Sequence, residues 1–121
     1  YCTELKEQAI RWSRRYTTPI VTLFDYQKNE ALKQLHFPTM SEEWLDFIVE
    51  SRLGNKPWLK YDYIESGVAN DRVIDTINLY MADLMTRDVA IGRLAEHRPN
   101  NQMCILNQEI IDKYLEYNGT V

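Results

Sequence analysis

Glycine is scarce in this sequence, and its four residues, Gly54, Gly67, Gly92 and Gly119, fall singly. That distribution excludes a glycine-rich phosphate loop. Neither G-x-S-x-G nor H-E-x-x-H occurs, which removes the hydrolase elbow and the zincin helix. Cysteine is nearly absent: Cys2 and Cys104 are too few and too far apart for a disulfide framework or a zinc site, and they read as reduced thiols, with Cys104 buried in an apolar run. His36 and His97 stand alone, without a partner at ligand spacing, so both read as surface or loop histidines and no metal is expected. No apolar run approaches the ~20 residues that cross a bilayer, and no signal peptide is visible. Basic charge is in deficit, 14 residues against 18 acidic ones for a net charge of -4, which argues against a nucleic-acid partner. The one basic cluster, Arg11, Arg14 and Arg15, falls where a helix should end, where the helix dipole accounts for it. A cytoplasmic protein without membrane or nucleic-acid partners is expected.

What is present suits one globular domain over residues 1–121, with 45% apolar and 26% charged residues. Thr3 is placed to cap a helix with Leu5, Ala9, Trp12 and Tyr16 on its apolar stripe. "PIVTLFDY" reads as a strand, "NEALKQ" as a short helical piece, and "LHF" as a segment ended by Pro38. Ser41 opens a helix with Trp44, Phe47, Ile48 and Ser51 on one side and Gly54 at its end. Alternation predicts a half-exposed strand near Tyr61 to Glu65. Asn70 or Asp71 caps the strongest helix, whose stripe is Val73, Ile77, Tyr80, Met81 and Leu84, so that a charge at Met81 should be severely destabilising. Thr86 starts a further helix through Ala90, Ile91 and Leu94. "QMCIL" reads as a central strand buried on both faces. Asn107 caps a last helix with Ile110, Ile111, Tyr114 and Leu115 inward, and "NGT" turns the chain into an extended stub. Helices and strands mix without βαβ repeats, so the class is α+β.

The amides of "RPNNQMCILNQEI" bracket an apolar run in a chain otherwise rich in charge. Helix capping explains Asn107, whereas Asn100, Asn101 and Gln102 have no such local reason. The carboxylate pairs Glu42–Glu43 and Asp71–Asp75 sit in helix first turns, where the dipole collects acids without any catalytic need. In "GVANDRV" a cap accounts for one of Asn70 and Asp71 and leaves Arg72 and the other polar residue without a role. On their own, Gln102 is a turn or edge amide and Tyr1 an ordinary core or rim aromatic.

Three stretches, "YCTELKEQAIRWSRR", "SEEWLDFIVESR" with "YDYIESGVANDRVIDTINLY", and "RPNNQMCILNQEIIDKYLEY", together resemble the bacterial domain-of-unknown-function family DUF3990 over almost the whole chain. That family in turn resembles a reduced ADP-ribosyltransferase fold. The resemblance implies an α+β domain of small split sheets with flanking helices and a cleft that takes NAD or a related nucleotide. Tyr1-Cys2-Thr3 followed by Ala9 matches the transferase pattern whose Tyr stacks on nicotinamide. Asn101-Gln102-Met103-Cys104-Ile105 matches the pattern that carries the catalytic Glu, so Gln102 would occupy the catalytic-acid position. By the same resemblance Tyr1, Thr3, Asn70, Asp71, Arg72 and Asn101 would contact the cofactor. The family's opening strand, with an L-Y-H-G-S pattern, is expected upstream of Tyr1 and is absent from this chain. Glycosidic cleavage of NAD builds positive charge on the ribose, which a carboxylate stabilises and a neutral amide does not. The expectation is a degenerate NAD-dependent transferase or glycohydrolase that binds with catalysis weak or lost. The alternative is a non-catalytic module that engages a protein partner.

Overall fold

Three consecutive residues of β3 (Tyr63–Ser66), namely Tyr63, Ile64 and Glu65, are all buried, and the fold is arranged around them. The computed structural model describes residues 1–27, 32–98 and 100–121. β3 lies between β2 (Gln34–His36), which runs parallel to it, and β4 (Gln102–Ile105), which runs antiparallel. Alternation along the strands gives this sheet two faces. Ile64, with Cys104 opposite, belongs to the core formed with α2 (Glu42–Arg52), α3 (Asp71–Met81) and α4 (Arg87–Ala95). Tyr63, Glu65 and Met103 take the other face, where the Tyr63 ring lies 5.9 Å from that of Tyr26 on β1 (Thr22–Tyr26). β1 pairs antiparallel with β5 (Leu115–Thr120) as a second, two-stranded sheet. The class is α+β, with small separate sheets and flanking helices.

The expected central strand is displaced by one. "QMCIL" contains β4, an outer strand of its sheet in which Met103 is buried and Cys104 only half-buried. Beyond β4 there is a single bridge, in which Cys2 and Met103 exchange backbone hydrogen bonds of 3.0 and 2.7 Å. The central position goes to the stretch that reads as half-exposed. Its polar side chains satisfy one another: Tyr63 Oη donates to Glu65 Oε2 at 2.9 Å, so both can be buried. "WLK" before it forms a 3-10 turn, Pro57–Lys60, and not strand.

The core joins Phe37, Trp44, Leu45, Val73, Ile77, Ala90 and Leu94 to Ile64. Three caps stand where expected: Asn70 accepts from Val73 N–H, Thr86 from Val89 N–H and Asn107 from Glu109 N–H. Ser41 holds the N-cap position of α2 without a side-chain bond, and Gly54 follows that helix with φ of 86°, the left-handed conformation that glycine takes freely. At the start of α4, Arg87 bonds Glu42 and Asp46 of α2, and that bond holds the Asp46 carboxyl below the usual carboxylate range.

Several inward stripes are rotated or shortened. On α3 the buried face is Val73, Thr76 and Ile77, while Met81 is 36% and Leu84 75% exposed. Thr76 takes the inward place because its hydroxyl donates to the Arg72 carbonyl at 3.1 Å, and α3 ends at Met81, leaving Leu84 beyond its last turn. The first helix, α1 (Lys6–Ser13), starts after the expected cap: Thr3 accepts from Leu5 N–H, and Leu5 itself is the N-cap. Its buried residues are Gln8 and Ser13, whereas Leu5 and Tyr16 of the expected stripe are exposed. Of "NEALKQ", residues 29–31 lie outside the described part; Leu32 and Lys33 are not helical and Gln34 begins β2. The last helix, α5 (Gln108–Tyr114), buries Ile110 and stops one residue before Leu115, which opens β5; "NGT" lies in that strand, with Gly119 at φ of 95°.

Leu45, fully buried among these helices, should cost about 2–5 kcal/mol on truncation to Ala. Met81→Asp should cost about 1 kcal/mol or less, since the residue is exposed and the added charge meets only the helix C-terminus. Urea denaturation of both variants ranks them; a larger loss at Met81 than at Leu45 would contradict the packing described.

Candidate functional site

Asn100 and Asn101 carry out structural work at the entry to β4. Asn101 Nδ2 donates to Glu65 Oε1 at 2.8 Å, while its Oδ1 accepts from Glu4 N–H at 3.1 Å and from the Thr3 hydroxyl at 3.4 Å. Gln8 completes the staple. Its amide donates to the Asn101 carbonyl at 2.5 Å and accepts from Asn101 N–H at 3.3 Å, so a side chain of α1 imitates a neighbouring strand. Asn100 does the same for the next loop, accepting from Val68 N–H at 2.8 Å and donating to the Val68 carbonyl at 3.3 Å. In that loop Gly67 lies close under two side chains: an added Cβ would stand 2.5 Å from the Met40 methyl and 3.0 Å from Asn100 Oδ1, so both would have to give way. Thr3 and Asn101, both expected at the cofactor, thus spend their hydrogen bonds on holding the first residues of the chain against β3 and β4.

Gln102 differs from its two neighbours. It pairs with Ser66 across the sheet, on the face opposite to Met103, and its amide has no hydrogen-bond partner among the described residues. It lines a groove of about 620 Å³ together with Gln8, Arg11, Trp12, Arg15, Asn70 and Asp71. Among the described residues neither Arg11 nor Arg15 is engaged in an ion pair. The N-terminus of α3 opens on the same groove. There Asn70 occupies the N–H groups of Val73 and Ile74, and those of Asp71 and Arg72 have no partner among the described residues. Two guanidiniums against the one carboxylate of Asp71 make the groove locally positive in a chain of net charge -4.

Three of the expected residues, Gln102, Asn70 and Asp71, are therefore brought to one groove, and Asn101 lies beside it. Arg72 points into a separate depression with Asp75, Arg93 and Glu96. Tyr1 is 88% exposed outside the groove, beside Cys104, which together with partial burial pushes the Tyr1 hydroxyl above its ordinary range. Arg11, Trp12 and Arg15 were not legible as site residues, because the helix dipole gave the arginines a sufficient reason. The sequence carries a partial signal: Arg11 and Arg15 stand four residues apart with Trp12 between them, although α1 ends at Ser13 and Arg15 lies in the turn beyond it.

Glu65, to which the sequence alone gives no role, is the one buried carboxylic residue among the described residues. Tyr63 and Asn101 hold its two oxygens, and His36 Nε2 lies 3.8 Å from Oε2. His36 is thus a surface histidine with a carboxylate that only the fold brings near it. Burial, then the bond to Glu65, drives the Tyr63 hydroxyl far above its ordinary range, so Tyr63 stays a donor.

Removing the Asn101 amide deprives buried Glu65 of a donor and frees two segments. Asn101→Ala should cost about 1–3 kcal/mol, and Gln102→Ala, which breaks no bond, should leave the melting temperature nearly unchanged. Calorimetric melting of the two single variants checks this, and equal losses would show that Gln102 is also scaffolding.

No helix among the described residues is long and apolar enough to cross a membrane. No curated protein and no solved structure matches the chain. A family model does match, over residues 1–117, and on that extent the chain belongs to the family described as "Protein of unknown function (DUF3990)".

Proposed function

We propose that this chain is an ADP-ribosyltransferase-like domain that binds NAD or a related nucleotide in the Gln102 groove, with catalysis weak or lost. The observation that carries the reading is the convergence on one concave surface of an amide and two guanidiniums without partners among the described residues, together with the N-terminus of α3. A diphosphate meets all its needs there. Arg11 and Arg15 offer planar forks of donors, and the first turn of α3 offers backbone N–H groups and the positive end of the dipole. Trp12 supplies a flat apolar surface for a base, the part that the resemblance gives to Tyr1. Gln102 can both donate to and accept from ribose hydroxyls. It cannot supply the negative charge that an oxocarbenium-like state requires, so binding without efficient cleavage follows from the residue itself.

The rival reading is a protein-interaction module. It draws on Ile20, Phe24, Tyr117 and Val121, all exposed on or beside the β1–β5 sheet. Absence of any saturable heat with NAD or ADP-ribose would leave that reading standing and remove the nucleotide.

In titration calorimetry, the double change Arg11→Ala and Arg15→Ala should weaken NAD binding at least ~10-fold, since each lost contact is a charge-assisted hydrogen bond. The melting temperature should hold, because neither arginine has an ion-pair partner among the described residues. Gln102→Ala should weaken binding by ~0.5–1.5 kcal/mol, one neutral hydrogen bond. Gln102→Glu should raise NAD hydrolysis above the parent, because the added charge favours the transition state over the ground state. A Gln102→Glu protein that binds NAD and hydrolyses it no faster would mean that this position does not face the reacting ribose.

A further inference from the structure

Four carboxamides line the Gln102 groove, and three of them are already committed within the protein. Gln8 is bound to the Asn101 backbone, Asn100 to that of Val68, and Asn70 to the Val73 N–H. Gln102 is the one without a hydrogen-bond partner among the described residues. The charged lining residues are Arg11, Arg15 and Asp71, and Trp12 is the one aromatic side chain in the lining. Asp71 opens α3, where the positive end of the helix dipole already offsets its charge. The groove therefore has a surplus of positive charge and offers one flat ring surface, not two.

Both properties bear on which nucleotide fits. Oxidised NAD carries a pyridinium at the anomeric carbon of its second ribose, and that ring is at once a cation and a second aromatic body. Neither need is met. Tyr1, the residue expected to stack on it, is 88% exposed outside the groove, and Gln102 brings no negative charge. In ADP-ribose the same carbon bears a hydroxyl. The diphosphate charge is then left whole for the two guanidiniums, and the only base is the adenine that Trp12 can take. A free carboxamide suits the exposed end of that sugar, donating to one hydroxyl and accepting from the next. Resting on the nucleotide reading above, we propose that the groove selects free ADP-ribose over oxidised NAD, and that it does so by rejecting the cationic ring.

The selection has two separable parts. Charge is one, because the pyridinium cancels half of the attraction that the diphosphate feels for Arg11 and Arg15. Bulk is the other, because a second ring finds no second aromatic surface in the lining. NADH keeps the bulk of NAD and lacks the positive charge, so it distinguishes them.

Titration calorimetry of the full chain at low salt compares ADP-ribose, NADH and oxidised NAD. ADP-ribose should bind roughly tenfold tighter than oxidised NAD, with NADH between them, since one unit charge beside exposed guanidiniums is worth about a few-fold to tenfold. Added salt should narrow the gap between NADH and oxidised NAD, because the groove is open to solvent. Arg11→Ala and Arg15→Ala, made singly so that binding stays measurable, should each narrow it too. Gln102→Glu should close or reverse it, since a carboxylate there gives the pyridinium a partner and repels the diphosphate. Oxidised NAD binding as tightly as ADP-ribose would overturn the selection and leave the nucleotide reading standing. A gap that neither arginine change nor Gln102→Glu alters would also overturn it, because the discrimination would then lie elsewhere. No saturable heat with any of the three ligands would remove the nucleotide reading itself, and this inference with it.

Discussion

The rest of the structure depends on a buried carboxylate. Glu65 sits in the middle strand of the larger sheet at 5% exposure, and a carboxyl there is tolerable only if its oxygens are held. Tyr63 holds one and Asn101 the other. Asn101 in turn fixes Thr3, Glu4 and Gln8, so a single buried carboxyl in β3 ties the start of the chain to its last third. The link is polar from end to end. It explains why an apolar strand is preceded by amides: carboxamides donate and accept at once, which no Lys or Glu can do.

Once the first residues are tied to β4, the two faces of that strand acquire different environments. On the Gln102 face, α1 is drawn in by the Gln8 staple, and its last turn with the turn that follows brings Arg11, Trp12 and Arg15 to the groove that the N-terminus of α3 also lines. On the Met103 face, the β1–β5 sheet stands off and leaves an apolar cleft. The sheet thus separates a wet, positive groove from a drier one, and the chemistry each can hold differs accordingly.

What could be read from the sequence divides along physical lines. Asn70, Thr86 and Asn107 were legible as caps because a cap depends on residues two or three positions away. The order of strands was not. A buried strand and an edge strand can carry the same apolar run, and the pairing of Tyr63 with Glu65 that permits burial of "YIE" is invisible until both side chains share a face. Thr76 and Gln8 lie outside the apolar stripes that the sequence shows, yet both are buried because each has a specific backbone partner. Of the residues that line the groove, Gln102, Asn70 and Asp71 are singled out by resemblance and motif, while the arginines have an adequate local explanation in the helix dipole.

Binding and cleavage place opposite demands on the residue at position 102. The nucleotide reading needs positive potential for a diphosphate, and Arg11 and Arg15 supply it most fully when no carboxylate beyond Asp71 shares the groove. An oxocarbenium-like state needs negative charge close to the ribose, and a Glu at this position would provide it while offsetting part of the arginine field. A glutamine keeps the hydrogen bonds and the field and gives up the charge. On that account the amide is not merely a weakened acid. Under the nucleotide proposal it would favour holding the ligand over turning it over, and the Asn101 staple next to it fixes the strand that carries it.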